Sequence, residues 1–256
     1  MEPCDASRSL TDLELLTIQA EMSMDDRGRL PGNCGVQISV ARDGQLLFIG
    51  SQVPDTLVPV LIDACERSAR APVPDQEPPA LAACRTILEP ACSPLSFHAS
   101  LYYVIDPHVR AETTVSIVRS DAPSIERLRH LNPGNWRPES WHQLLDGVRG
   151  PWAMALVDER VVSICHTPLP LTEQAAECGV WTHPDYRGRG YAAAVTATWA
   201  DILRPSGRTL FYSTDSQNRS SQRVAARLGL RNIGWTWNLA RSEQHAQPHP
   251  LDRRSS

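Results

Sequence analysis

Val180-Trp181-Thr182-His183-Pro184-Asp185-Tyr186-Arg187-Gly188-Arg189-Gly190-Tyr191-Ala192 is the stretch on which the reading of this chain turns. A strand predicted over residues 175–182 enters a bend marked by Pro184, then a glycine-rich turn, then an alanine-rich helix predicted over 191–203. The physical sense of that order is an anion cradle. Gly188 and Gly190 lack the Cβ atoms that would keep backbone amides from converging on a cluster of oxygens, and the first helical turn adds the positive end of its dipole. Arg187 and Arg189 can add full charges. A glycine-rich loop alone is also what an ordinary strand-to-helix turn looks like, so the surroundings have to decide.

Working outward, the preceding residues give a strand at Val115 to Val118 and the cap-like Asp121-Ala-Pro-Ser, which predicts a helix through Ile125, Leu128 and Leu131. A helix then starts at Pro138-Glu139, carries Trp141, Leu144 and Leu145, and stops at Gly147. Trp152 to Val157 and Val161 to Cys165 flank the polar turn Asp158-Glu159-Arg160 as an antiparallel hairpin. Downstream come a strand at Thr209 to Thr214, Asn218 opening a helix from Arg219 to Arg227, the break Leu228-Gly229-Leu230, and a closing strand through Trp235 to Leu239.

This order, with Arg187-x-x-Gly190-x-Ala192 at its centre, closely resembles the acyl-CoA-binding motif and strand–helix sequence of the GNAT superfamily of N-acyltransferases. The resemblance covers about residues 113–240 and implies an α/β fold of the α+β kind, with a mixed, mostly antiparallel sheet, flanking helices and two splayed strands. It implies acetyl-CoA as acyl donor, with no metal. The amides of Arg187, Gly188, Arg189, Gly190, Tyr191 and Ala192 would hold the pyrophosphate of coenzyme A, Val180, Trp181 and Thr182 would line its pantetheine arm, and Asn218, with Ser221 beside it, would contact that arm from the next helix. Trp136 and Trp141 fall in the segment that lines the acceptor pocket in the family.

The chemistry is attack of a neutral amine on a thioester, which needs a proton acceptor, a stabilised oxyanion and a departing thiolate. Glu177 shares a strand face with Gly179 and Trp181 by period-two alternation, and a glutamate near this position commonly serves as base in the family. His166 is the auxiliary base or acceptor ligand. Many family members carry an acid tyrosine seven residues after the asparagine, and here that position is Ala225. Tyr212 and Ser221 are the replacement candidates, and a thiolate whose conjugate acid has a pKa of about 8.5 can also leave unassisted. Cys165-His166 with Cys178 suggests a covalent cysteine mechanism, but no third orienting residue accompanies the pair.

The first part of the chain shows no chemical motif. Residues 1–30 hold one helix, with Thr11 and Glu14 spaced as a capping box, and residues 31–112 form a smaller α/β domain. That domain has a hairpin turning at Asp43-Gly44, a helix after Pro54-Asp55, a proline-rich connector at 71–79, a helix near Leu81 to Leu88 and a strand from Ser100 to Ile105. It either roofs the acceptor pocket or is a degenerate copy of the same fold. Residues 113–241 are the acyltransferase domain and 242–256 a flexible tail.

Composition narrows the function classes. The 256 residues are 41% hydrophobic and 21% charged, enough to bury a core, and a net charge of -4 offers no general attraction to nucleic acid or anionic lipid. All 25 basic residues are arginine, which rules out lysine Schiff-base chemistry. No apolar run approaches the roughly 20 residues of a membrane span, and Asp5, Asp12, Glu14, Glu21, Asp25 and Asp26 interrupt any leader-like segment, so a cytoplasmic protein is expected. Seven cysteines without paired spacing predict reduced, buried thiols rather than a disulfide framework or zinc site. The expected function is N-acetyl transfer to a primary amine of a small molecule by direct attack, in a monomer or homodimer. A non-catalytic acyl-CoA-binding regulatory module and a protein N-terminal acetyltransferase are the competing readings.

Overall fold

Thr11 starts the first helix, α1 (Asp12–Glu21), by the reciprocal cap its sequence spelled: its hydroxyl accepts from the Glu14 amide at 3.2 Å while the Glu14 carboxylate accepts from the Thr11 amide at 2.8 Å. The computed structural model describes residues 10–68, 73, 75–123, 125–169 and 171–242, so residues 71, 72 and 74 of the proline-rich connector and the tail from 243 lie outside the described residues. The chain divides into two units. One contains the residues up to Ser100 together with Ile233–Ser242, and the other contains Leu101–Asn232. No helix among the described residues is long and apolar enough to cross a membrane.

In the first unit β1 (Gly35–Ala41) and β2 (Gly44–Ile49) form the expected hairpin, and β9 (Arg231–Arg241) lies antiparallel on the other side of β1, with Ile38 opposite Trp237. The strand order there is β2-β1-β9-β3, where β3 is Leu95–Ile105. Val36, Ile38 and Val40 face α2 (Val58–Arg67) and α3 (Ala80–Cys92) in a core with Leu61, Leu81 and Leu88, while α1 packs against β1. Every residue of β1 is buried. The expectation of reduced thiols fails at one pair: Cys34 before β1 and Cys92 at the end of α3 are joined in a disulfide across 58 residues, while Cys65, Cys84, Cys165 and Cys178 are free and buried. Sequence spacing carries no trace of such a pairing, because it is set by the docking of α3 on β1.

The second unit continues from the end of β3 through β4 (Ser116–Arg119), α4 (Pro138–Leu145), β5 (Trp152–Val157), β6 (Arg160–His166), β7 (Ala175–Thr182), α5 (Tyr191–Leu203), β8 (Thr209–Asp215) and α6 (Arg219–Arg227). Its strand order is β3-β8-β7-β6-β5-β4, with β4 to β7 antiparallel and β7 parallel to β8. Both units are therefore sheets of mostly antiparallel strands flanked by helices. The β5–β6 turn is tight because Asp158 and Glu159 both take positive φ, 47° and 58°. Alternate side chains of the sheet feed two cores: Ala153, Cys165, Cys178 and Tyr212 pack with Val195 and Trp199 of α5, whereas Trp152, Met154 and Ile164 pack with Trp141, Leu144 and Leu145 of α4.

Three local readings changed. The helix expected after Asp121-Ala-Pro-Ser is only a 3-10 turn, Glu126–His130, because Asn132-Pro133-Gly134 follows at once and leaves no room for a second turn. Strand β3 begins at Leu95 rather than Ser100. The closing strand, which the sequence reading assigned with residues 113–241, joins the first unit from Ile233 onward because it finds its hydrogen-bond partner in β1.

Helix α5 is held to the sheet by a buried polar relay: the Trp199 indole N–H donates to Thr167 Oγ1 at 3.1 Å, and Thr167 donates to the Pro151 carbonyl at 3.1 Å. Trp199 is fully buried. Trp199→Ala removes the ring and the donor together and is expected to cost about 3–5 kcal/mol in chemical denaturation. Trp199→Phe keeps most of the packing and should cost about 1–3 kcal/mol, so equal losses for the two variants would deny the relay a role.

Candidate active site

The site begins where two strands part. β7 and β8 pair in parallel from Ala175 opposite Thr209 to Cys178 opposite Tyr212, and the ladder ends there although β7 runs on to Thr182 and β8 to Asp215. Beyond that point β7 keeps its partner on the other side, with Gly179 to Thr182 opposite His166 to Ser163 of β6. The backbone of residues 179–182 is thus held from one edge only by a ladder, and those residues are half-buried where Ala175 to Cys178 are fully buried.

The glycine-rich turn lies at the end of this diverging segment. Gly188 and Gly190 take φ of +78° and +85°, a region costly for residues with a Cβ. Nothing lies within 4 Å of where a Gly188 Cβ would stand. Gly190 is the N-cap of α5, and the first intrahelical bond, Ala194 N–H to Gly190 O at 3.1 Å, leaves the amides of Tyr191, Ala192 and Ala193 without intrahelical partners by helix geometry. The Arg187 amide, in contrast, is engaged with Pro184 O at 3.2 Å. Arg187 Nε reaches Thr182 O at 3.4 Å, and Arg189 lies 5.0 Å over the Tyr186 ring while donating to Asp185 O. A third guanidinium comes from α6: a Cβ on Gly190 would stand 2.9 Å from Arg227 Cζ. The cradle of open space, first-turn amides and three arginines fits a diphosphate.

Around the parting point the candidate side chains sort by face. Glu177, 7% exposed, accepts a hydrogen bond from Ser213 Oγ of β8. Tyr212, one residue earlier on β8, points the other way into the α5 core, where its hydroxyl meets Ser221 Oγ of α6 at 2.6 Å. Burial raises the Tyr212 phenol well above its ordinary range and keeps it protonated, with the Ser221 hydrogen bond opposing in part. The structure therefore brings Tyr212 and Ser221 together and sets them on the sheet face opposite Glu177. Ala225 is buried in the same core as Tyr212. Asn218 caps α6 by accepting from the Ser221 amide at 3.0 Å. Cys178 also lies on the Tyr212 face, and burial with the adjacent Cys165 thiol raises its pKa well above the usual value. A buried, protonated thiol facing away from His166 has no partner for the covalent cysteine reading.

On the Glu177 face His166 lies directly against Gly179, whose Cβ would stand 3.0 Å from the imidazole Nε2. Its ring meets Trp136 edge-on at 5.1 Å, and both line a small pocket with Ser140, Gln143, Leu144, Arg149, Gly150 and Thr167. Trp141 does not join that wall: it is 1% exposed in the core, and its indole N–H donates to Leu128 O at 3.0 Å. Trp181 packs against the same α4-side core, and Val180 against the α5 side. Thr182 Oγ1 pairs with Ser163 Oγ at 2.8 Å.

Ser213 at Glu177, Arg227 at Gly190 and Arg149 at His166 were not found by reading the sequence, since each lies on an element that only tertiary packing brings near. No group of acidic, cysteine or histidine side chains able to hold a metal ion occurs among the described residues.

Residues 138–235 match the family model of the GNAT acetyltransferases. No curated protein matches the chain. Among solved structures it is similar to an acetyltransferase from the GNAT family from Colwellia psychrerythraea at 13% identity, covering 92% of this chain and 98% of that one with a TM-score of 0.47. It is also similar to a GCN5-related N-acetyltransferase-like protein from Streptococcus suis at 16% identity, covering 85% and 86% with a TM-score of 0.45. A tandem GNAT protein from the clavulanic acid biosynthesis pathway is similar at 15% identity, covering 78% and 75% with a TM-score of 0.47.

Burial pushes the His166 imidazole down to about 4, helped by the nearby Arg149 charge and opposed by a backbone hydrogen bond at Thr167. The unfolded chain takes up this proton near pH 6.5 while the folded one does not, so stability falls as pH drops from about 6.5 toward 4, by up to a few kcal/mol. The His166 ring resonances should stay fixed from pH 8 to about 5.5. His166→Asn should flatten the loss of stability in that window, and an unchanged slope would place the titration elsewhere.

Proposed function

We propose, from the match of residues 138–235 to the family model of the GNAT acetyltransferases, that the chain is an N-acetyltransferase that moves an acetyl group from acetyl-CoA to a primary amine of a small molecule. The observation that carries this reading is the ladder between β7 and β8 ending at Cys178 and Tyr212, with the freed strand leading straight into the glycine-capped start of α5. An extended arm can lie along residues 179–182 and end in a cradle for its diphosphate. A dinucleotide fold places its glycines after the first strand of a parallel sheet and has no such gap.

Bound acetyl-CoA supplies an acyl group already activated as a thioester. The chain's own residues supply the rest. Gly188, Gly190 and the first-turn amides of α5 bind the diphosphate, and Arg187, Arg189 and Arg227 balance its charge. Val180, Trp181 and Thr182 orient the arm along β7. Glu177 takes the proton from the attacking amine, and Ser213 holds its carboxylate in place. Tyr212, kept protonated and tied to Ser221, stands on the far face beside the last paired residue of β7. A thiolate with a conjugate-acid pKa of about 8.5 leaves without needing it.

Thiol release from acetyl-CoA in the presence of an amine panel tests the reading, and tight acetyl-CoA binding with no release would turn it into the regulatory-module alternative. Gly190→Asp puts a carboxylate against the Arg227 guanidinium and into the cradle, so calorimetry should find acetyl-CoA affinity lower by about 10- to 100-fold or more while circular dichroism is preserved. Unchanged affinity would remove the cradle from the argument. Glu177→Gln keeps the bond from Ser213 but accepts no proton, and turnover should fall by roughly 10²- to 10⁴-fold with acetyl-CoA affinity intact. Turnover close to that of the unaltered protein would assign the base to another residue.

A further inference from the structure

The pocket between α4 and β6 has a chemical bias that the transfer reading does not explain. Its polar lining consists of Ser140, Gln143, Arg149, His166 and Thr167, with the Trp136 indole beside them, and contains no acidic side chain. Arg149 is exposed on its outer edge. It donates to the Pro168 carbonyl at 3.3 Å, and among the described residues no carboxylate lies within ion-pair distance of it. The Arg149 charge reaches the pocket interior, because it helps hold His166 unprotonated. The Trp136 indole N–H is buried and donates to no acceptor among the described residues. A cationic head group would meet repulsion here, whereas an anion would meet the Arg149 guanidinium and the Ser140 and Gln143 side chains, Thr167 being committed to the Pro151 carbonyl.

The place of the pocket relates this bias to the reaction. His166 lies against Gly179, the first residue of β7 past the end of the β8 ladder, and Glu177 is two residues earlier on the same face. Residues two apart on a strand stand about 7 Å from one another, roughly the span between the two ends of a short amino acid plus one bridging water. The enclosed space is only about 10 Å³, room for one water-sized group, so the pocket can take one end of a head group at its mouth and not a whole molecule.

We propose that this pocket receives the carboxylate of the acyl acceptor, with Arg149 pairing it and Trp136 and Gln143 donating, so that the acceptor is an amino acid or an amine of amino-acid type. The inference rests on the transfer reading above. It makes Arg149 a specificity-determining residue, since a planar guanidinium matches a planar carboxylate through paired hydrogen bonds.

The test compares acceptors that differ by the carboxylate alone: lysine against 1,5-diaminopentane, phenylalanine against 2-phenylethylamine, and β-alanine against ethylamine, with O-phosphoethanolamine as a phosphate-bearing arm. In thiol-release assays the acids should exceed their decarboxylated partners in kcat/KM by about 10- to 100-fold, mainly through KM. Arg149→Gln should shrink that ratio to about threefold or less, and Arg149→Lys should restore part of it. Decarboxylated amines used as well as the acids, or an Arg149→Gln variant that slows both members of each pair alike, would overturn the proposal while leaving acetyl transfer standing. Preference for the phosphate-bearing amine would overturn the carboxylate assignment. Absence of thiol release with every acceptor would instead sink the transfer reading. In that case the His166 ring resonances decide the pocket: a saturable shift with lysine, lost in Arg149→Gln and absent with 1,5-diaminopentane, supports carboxylate recognition, and no shift ends it.

Discussion

Two parallel strands that stop pairing halfway along are the constraint from which the second unit's arrangement follows. A sheet with every ladder complete would bury the backbone of residues 179–182 between two neighbours, and Glu177, Gly179 and Trp181 would line a closed surface. Because the β7–β8 ladder ends at Cys178 and Tyr212, the strand can diverge while β6 still holds it, and the chain reaches the turn at Gly188 and Gly190 on the free side. The divergence is supported from both faces. α5 is anchored through Trp199 and Thr167 on one side, and the tryptophan-rich core of α4 fills the other.

The same gap separates two chemistries that a side-chain list would merge. Ser213, which holds Glu177 of β7, and Tyr212, which meets Ser221 of α6, are neighbours on β8 yet face opposite ways, as the period-two pleat demands. A carboxyl group and a phenol kept protonated by burial can coexist within a few residues because the sheet stands between them.

What could be read from the sequence was what the chain encodes over short range. The capping box at Thr11, the hairpin at Asp43-Gly44, the turn after Val157 and the bounds of β7, α5 and α6 each depend on residues within a few positions, and they agree with the structure. The glycine-rich turn was legible because glycine answers to a backbone requirement that no other residue meets, and φ at Gly188 and Gly190 is positive. The parts that were not legible are long-range. Ser213 finds Glu177 across 36 residues, Cys34 finds Cys92 across 58, and β9 finds β1 across most of the chain. Trp141 was read as a pocket residue and is a core residue, since nothing local tells which side of α4 carries the wall.

β9 also sets an order of events during synthesis. The first unit is not contiguous in the chain: it is opened after Ser100 and completed only by Ile233–Ser242, and everything that builds the other unit is spelled in between. A ribosome making this protein therefore releases all of Leu101–Asn232 before the strand that lies against β1 exists. The second unit can collapse around its own cores as it emerges, as an inserted domain does, while β1 waits with one edge unfilled. Any chain cut short before Ile233 leaves that edge open permanently. The two halves of this protein are therefore unequal in how they tolerate an incomplete C-terminus, and the half that was translated first is the one that depends on the end.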